Sequence, residues 1–321
     1  MSEFKVREKM IAFVFPGQGS QSIGMGKDLF DTFESARLVF EEVDETLKQK
    51  LSQLIFSGDA DMLMRTENTQ PALMAVSMAM VRVLQKELNY NLKDHANFLA
   101  GHSLGEYSAH AAANSFSLSD TARLLRTRGL AMQEAVPVGV GAMAALLGAD
   151  FDQVALIAKE AAGSDVCEVA NDNSPGQIVI SGHKTAIDRA LEIAKNQGIK
   201  RAVLLPVSAP FHSSLMAPAQ RVMEKALAAV EARATDVPII ANVTVTPVKT
   251  PDAYISCLVD QVTGRVRWRE TILFLKSQGT KKVIEIGAGK VLTGLVKRID
   301  PDMDAVALNT PQDLETFAQS L

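Results

Sequence analysis

Residues 10–15 (MIAFVF) form a continuous apolar run that ends at Pro16-Gly17. A strand facing water on one side alternates apolar and polar residues. This one has no polar residue to turn outward, so it must be covered on both faces, as the strands of a parallel sheet are. Parallel neighbours need crossover connections, usually helices, and the chain supplies them. Residues 98–101 and 282–286 read as further strands. Helices are expected over about 28–54, over 69–88 with Thr69 as N-cap and Pro71 in the first turn, over 104–114, over 118–135 and over 291–299. Strands alternating with helices imply an α/β fold built on a parallel sheet.

The middle of the chain has another rhythm. A strand at 141–147 precedes a helix at 150–162. Two strands, 166–170 and 177–181, flank an Asn-Asp-Asn-Ser-Pro-Gly turn, and a helix at 184–197 leads to a strand at 201–207. That order, βαββαβ, is ferredoxin-like. It predicts a small domain, 138–207, inserted between the two parts of a large α/β catalytic domain, 1–137 and 208–321. With 321 residues, 47% of them hydrophobic, the chain can bury both cores.

Charge narrows the function. Lysine plus arginine (33) nearly balance aspartate plus glutamate (37), so no basic excess calls for nucleic acid. Two cysteines, Cys167 and Cys257, are too few for a disulfide framework or a thiolate metal site. No metal and no cofactor are expected. No apolar run approaches the roughly 18 residues of a membrane span, and residues 1–9 read as a loose polar leader rather than a signal peptide. A soluble, cytoplasmic monomer is the expectation.

Gly101-His102-Ser103-Leu104-Gly105 follows one predicted strand and opens one predicted helix. A sharp strand-to-helix turn lifts a serine oxygen clear of the sheet, and the helix N-terminus faces developing negative charge. Ser103 is therefore the candidate nucleophile; the alternative is a purely structural turn. Of five histidines, His102 points away from its neighbour Ser103, and His110 lies two helical turns on, about 10 Å. His95 and His183 have polar, loop-like surroundings. Elimination leaves His212, in a turn between strand and helix, as the candidate base. The alternative is a loop histidine that is merely solvated. Arg128 has Leu124, Leu125, Ala131 and Met132 three and four residues away on its helix, so it points inward. An unpaired buried guanidinium costs several kcal/mol. Either a protein carboxylate or a substrate carboxylate must answer it.

Seven pieces in order, FPGQGSQ (15–21), TQPAL (69–73), GHSLGEYSA (101–109), RTRG (126–129), NSPGQ (173–177), APFHS (209–213) and EIGAGKVLTGL (285–295), span nearly the whole chain. Together they resemble the malonyl/acyl transacylase family, and the pattern is similar to its stand-alone bacterial type, since no synthase domain is attached. The resemblance implies a hydrolase-like α/β core and a transferase that moves malonyl from malonyl-CoA to the phosphopantetheine thiol of acyl carrier protein in fatty acid biosynthesis. It assigns Ser103 as nucleophile, His212 as base and Arg128 to the malonyl carboxylate. The backbone N–H groups of Gln18 and Leu104 become the oxyanion hole, Gln70 lines the acyl pocket, and the carbonyl of Gln261 orients the histidine. Phe211 matches the malonyl-selective pattern, because a bulky ring there crowds a 2-methyl branch. Malonyl-CoA is a substrate, and the phosphopantetheine belongs to the partner.

Two features invite other readings. Gly287-Ala-Gly289-Lys290 hints at a phosphate loop but lacks the G-x-x-x-x-G-K-[ST] spacing. Lys195, Lys200, Arg201, Lys281, Lys282, Lys290, Lys297 and Arg298 form either a rim for an acidic carrier protein or ordinary solvated charge. A serine thioesterase and a non-catalytic docking module are the competing functions.

Overall fold

The computed structural model describes residues 10–207 and 209–319. The expected leader at 1–9, and Ser208 at the expected return to the large domain, lie outside the described residues. Among the described residues ten strands build two sheets. They are β1 (Ile11–Phe15), β2 (Ala96–Gly101), β3 (Gly141–Leu147), β4 (Cys167–Ser174), β5 (Gln177–His183), β6 (Arg201–Leu204), β7 (Ile239–Ile240), β8 (Pro247–Val248), β9 (Lys282–Ile286) and β10 (Asp304–Leu308). One sheet runs β10-β9-β1-β2-β7-β8. Its neighbours are parallel except for the antiparallel β7–β8 edge.

β1 shows why its sequence has no polar residue. Phe13 and Phe15 enter the main core, while Ala12 and Val14 face a second layer with Trp268, Ile272 and Leu292 on the other side of the sheet. Alternation along the strand feeds two apolar layers at once.

The second sheet runs β4-β5-β3-β6 with every neighbour antiparallel, and its elements follow one another as strand, helix, strand, strand, helix, strand. Helices Phe151–Ala162 and Lys184–Asn196 cover one face through Val154, Ile157, Ala186 and Ile187. The opposite face places Met143, Val179 and the partly buried Ala145 against the main core.

Three local expectations need correction. The helical stretch expected over about 28–54 is divided into three helices, Lys27–Thr32, Glu34–Leu47 and Leu51–Ser57. Phe33 is extended and Lys48 is left-handed (φ 49°), and the Asp44 carboxylate accepts from the backbone N–H of Ser52 at 2.8 Å, fixing the second break. Thr69 is not an N-cap. The helix spans Thr66–Lys86, so Pro71 falls inside it, and the Thr69 hydroxyl donates instead to the carbonyl of Leu63 at 2.6 Å. Most of the expected Asn-Asp-Asn-Ser turn is strand β4. Backbone bonds from Val266 to Ala170 (2.8 Å) and from Asp172 to Val266 (3.0 Å) draw it onto a loop of the other sheet's body, leaving Pro175-Gly176 to make the turn, with Gly176 at φ 70°.

Candidate active site

The serine stands where β2 becomes helix Leu104–Ala112. Its backbone is at φ 53°, ψ −112°, a conformation that costs a non-glycine residue about 1–3 kcal/mol. The flanking glycines make the bend possible. A Cβ on Gly101 would lie 1.9 Å from the carbonyl carbon of Gly105, and one on Gly105 would lie 2.2 Å from the Phe15 oxygen. Asn242 clamps the turn: its Oδ1 accepts from the Ser103 N–H at 2.8 Å, and its Nδ2 donates to the Gly101 carbonyl at 2.7 Å.

His212 meets this serine. Its Nε2 lies 2.8 Å from Ser103 Oγ, while Nδ1 lies 2.9 Å from the Gln261 carbonyl and 3.0 Å from that of Gly264. Carbonyls only accept, so Nδ1 carries the proton and Nε2 has a lone pair for the hydroxyl. Burial, then the positive charge of Arg128, holds the imidazole down to about 3, against the opposing pull of the two carbonyls. At neutral pH it is therefore an uncharged acceptor.

Arg128 is 1% exposed and points into the same cleft. It donates to Gln70 Oε1 (2.8 Å), Gln261 Oε1 (2.8 Å) and Ser103 Oγ (3.2 Å), and its guanidinium carbon lies 5.6 Å from the centre of the Tyr107 ring. Every oxygen it touches is neutral. Among the described residues no carboxylate forms an ion pair with it. Gly129 lets this helix come close to helix Thr66–Lys86, since a Cβ there would lie 2.5 Å from the Cα of Glu67. Gln70 and Arg128 meet across that contact.

These groups open onto a small cleft of about 110 Å³, lined also by Gln18, Leu104, Met143 and Phe211. The N–H of Leu104, first residue of its helix, has no intrahelical acceptor. All seven candidate site residues, Ser103, His212, Arg128, Gln18, Leu104, Gln70 and Gln261, thus converge: six line the cleft, and Gln261 backs the histidine and the arginine.

The other histidines have other partners, although His102 also lines the cleft. His102 Nε2 lies 2.8 Å from Asn173 Oδ1, His110 packs 4.5 Å from the Tyr254 ring centre, His95 stacks on Tyr90, and His183 Nδ1 accepts from the Val166 N–H.

Sequence reasoning missed Glu106, Asn173 and Asn242. Glu106 is fully buried on the first turn after Ser103. Its Oε2 accepts from Gln261 Nε2 at 2.7 Å and from the Asn242 N–H at 3.2 Å. Burial pushes its carboxyl up to about 7, against Gln261, Asn242 and Arg128. Only an acid inside an otherwise apolar and small helix (LGEYSAHAA) could have signalled it; Asn242 lies in a loop with no such contrast.

Gly287-Ala-Gly289-Lys290 is no phosphate loop, because the site is already filled. The buried Glu285 carboxylate accepts from the N–H groups of Leu292 (3.1 Å) and Thr293 (2.7 Å) at the start of helix Val291–Ile299. An anion belonging to the chain occupies the helix N-terminus. The proposed basic rim also loses members. Lys282 pairs in register with Ile11, at the opposite end of β1 from Phe15, which pairs with Gly101. Lys281 and Lys282 therefore lie at the far end of the sheet from Ser103.

The acyl transferase domain family matches residues 12–306. A malonyl CoA-acyl carrier protein transacylase of Bacillus subtilis is 46% identical over 313 residues, covering 97% of each chain. The chain belongs to the malonyl-CoA:acyl-carrier-protein transacylase family. This makes it an acyltransferase enzyme. Solved transacylase structures superpose closely. The acyl-carrier-protein S-malonyltransferase of Bartonella henselae does so with a TM-score of 0.94 at 56% identity, covering 97% of this chain and 98% of that one. A malonyl-transacylase in complex with its type II PKS acyl-carrier protein does so with a TM-score of 0.93 at 40% identity, covering 97% and 99%. Among the described residues no helix is long and apolar enough to cross a membrane.

Proposed function

We propose that this chain transfers malonyl from malonyl-CoA to the phosphopantetheine thiol of acyl carrier protein, through an ester on Ser103. The observation that carries the reading is Arg128: a buried cation in direct contact with no carboxylate among the described residues, 3.2 Å from a serine oxygen that also faces a neutral imidazole. A carboxylated acyl group on that serine completes the pair. Its relatives' names and the carrier-protein complex of one structural neighbour support the same donor and acceptor.

In the first half-reaction Ser103 gives its proton to His212 Nε2 as its oxygen attacks the thioester carbonyl. The N–H groups of Gln18 and Leu104 hold the oxyanion, each such donor being worth about 2.7–4 kcal/mol. Collapse breaks the carbon–sulfur bond, and His212 returns the proton to the CoA sulfur. The malonyl ester remains, its carboxylate on Arg128 beside Gln70. The carrier-protein thiol then takes the acyl group by the reverse steps, giving ping-pong kinetics. The Gln261 carbonyl keeps His212 in the tautomer both halves require. Phe211, at the cleft wall, favours malonyl over methylmalonyl by the about 1–3 kcal/mol that one methyl misfit allows.

The chemistry so written uses no metal and no cofactor. We further read the parallel sheet's body as hydrolase-like and the antiparallel module as a ferredoxin-like domain inserted over 138–207 between 1–137 and 208–321. The enzyme is proposed to act as a cytoplasmic monomer in fatty acid biosynthesis.

Intact-protein mass measurement after mixing with malonyl-CoA tests the reading. The expected result is a malonyl adduct that Ser103→Ala abolishes and holo carrier protein removes. Free malonate released without transfer would instead mark a thioesterase, and the absence of both adduct and turnover a docking module.

A further inference from the structure

Arg128 is fully buried yet touches only neutral oxygens. The buried carboxylate that answers its charge is Glu106, and the side-chain amide of Gln261 joins the two. Gln261 Oε1 accepts from Arg128 Nη2 at 2.8 Å, and its Nε2 donates to Glu106 Oε2 at 2.7 Å. The other oxygen of Glu106, Oε1, is buried and no group among the described residues hydrogen-bonds to it. A carboxylate with one bare oxygen is poorly stabilised as an anion, whereas a carboxylic acid loses less by leaving an oxygen unbonded. Glu106 also sits in the first turn of the helix that begins at Leu104. Its negative charge there opposes an oxyanion formed at the same helix N-terminus.

We infer that Glu106 is the counter-ion of Arg128 only while the cleft is empty, and that it takes up a proton when a substrate carboxylate binds Arg128, so that acylation by a carboxylated acyl group consumes a proton from solvent and acylation by a neutral one does not. The inference rests on the malonyl reading. Two carboxylates then share one guanidinium, and the one held at a distance through Gln261 is neutralised. The other titratable groups facing Glu106 are Tyr107 beside it and Cys257 on helix Pro251–Gln261. Burial raises both and keeps them neutral, so the charge on Glu106 answers to Arg128. The acidity of Glu106, near neutrality in the empty site, lets a modest change in its surroundings alter its protonation at ordinary pH. The acyl exchange itself is proton-neutral, because the proton leaving Ser103 ends on the CoA sulfur. Any net uptake therefore reports a protein group.

The experiment mixes the wild-type enzyme with stoichiometric malonyl-CoA or acetyl-CoA just above neutral pH in nearly unbuffered solution containing a pH indicator. The adduct is quantified by mass in the same samples. The expected result is uptake approaching one proton per malonyl adduct and none per acetyl adduct. Glu106→Gln, which keeps an acceptor for Gln261, should show no proton uptake for each malonyl adduct it forms. Malonyl adduct with no uptake in the wild type, or equal uptake in wild type and variant, overturns the role of Glu106 and leaves the transacylase reading intact. The wild-type comparison of malonyl with acetyl stands even if the variant does not fold. No malonyl adduct at all would overturn the function on which the inference rests.

Discussion

The bend at Ser103 is made by its own neighbours in sequence and clamped by one distant side chain, Asn242, whereas His212 is positioned only by backbone that the chain reaches 49 and 52 residues later, at Gln261 and Gly264. The serine's bend is written into five residues. Both glycines are required by contacts under 2.5 Å, one of them within the motif and the other against the strand that packs beneath it. The histidine also has a left-handed backbone, at φ 56°, but nothing in APFHS specifies which carbonyls will receive its Nδ1 proton. A locally encoded element fails completely when its sterics are violated. A distributed one should fail by degrees, because each contributor supplies only one bond.

The largest effect should follow from Gly105→Ala. The new Cβ would press on the Phe15 carbonyl at 2.2 Å, and backbone cannot yield as a flexible side chain can. Overpacking of this kind costs typically about 1–3 kcal/mol and occasionally more. We expect a variant that melts several degrees lower and forms no malonyl adduct. A normally acylated Gly105→Ala enzyme would show that the elbow is not sterically fixed. Arg128→Ala comes next. Removing one partner of a buried charge pair costs about 2–5 kcal/mol, so malonyl transfer should fall by two to three orders of magnitude while acetyl transfer or hydrolysis is spared. Equal loss for both acyl groups in a steady-state assay would remove the carboxylate role.

The same division between local and distributed encoding explains what could be read from the chain. β1, the elbow and the inward face of Arg128 were legible because alternation, glycine spacing and helical periodicity act over a few residues. The break at Lys48 was not, because it depends on Asp44 capping a helix eight residues on, and the true start of the helix at Thr66 lies outside the Thr-Gln-Pro signal. Four candidate site residues, Gln18, Leu104, Gln70 and Gln261, were legible only as parts of a family pattern. Glu106, Asn242 and Asn173 were invisible. Their roles arise from partners 155, 139 and 71 residues away, and no local period records such distances.

Gly264→Ala probes the distributed side. A Cβ at Gly264 would meet Val243 Cγ1 at 2.7 Å and the Asp260 carbonyl at 2.8 Å, displacing one of two acceptors of the His212 Nδ1 proton while the Gln261 carbonyl remains. Losing one neutral hydrogen bond costs about 0.5–1.5 kcal/mol. The acylation rate should drop about ten-fold or less, with a smaller fall in melting temperature than that of Gly105→Ala. A loss as complete as that of Gly105→Ala would mean that the histidine's support is as brittle as the serine's.

The smallest expected change in rate concerns pH. In the folded enzyme His212 and His110 are each held down to about 3 and His102 is also lowered, all chiefly by burial. Below the ordinary imidazole value of about 6.5 the unfolded chain binds protons that the folded one refuses, so stability falls as pH falls. Glu106, raised to about 7, acts in the opposite direction over the same range. Glu285, also raised by burial, does the same, so linkage leaves a net loss on the order of 1–2 kcal/mol between about pH 7 and pH 5, measurable by chemical denaturation. The rate should behave differently. Because His212 stays neutral throughout this window, acylation of Ser103 by acetyl-CoA should not fall as the pH drops, and loss of the Glu106 charge, which opposes the oxyanion, acts only to raise it. An ordinary imidazole would lose about thirty-fold of its basic form by pH 5. A thirty-fold fall in the single-turnover rate would place the base in an environment as wet as that of a surface histidine. A profile that does not fall would mean that burial, achieved through residues scattered over fifty positions, keeps His212 as fixed in charge as the elbow keeps Ser103 fixed in space.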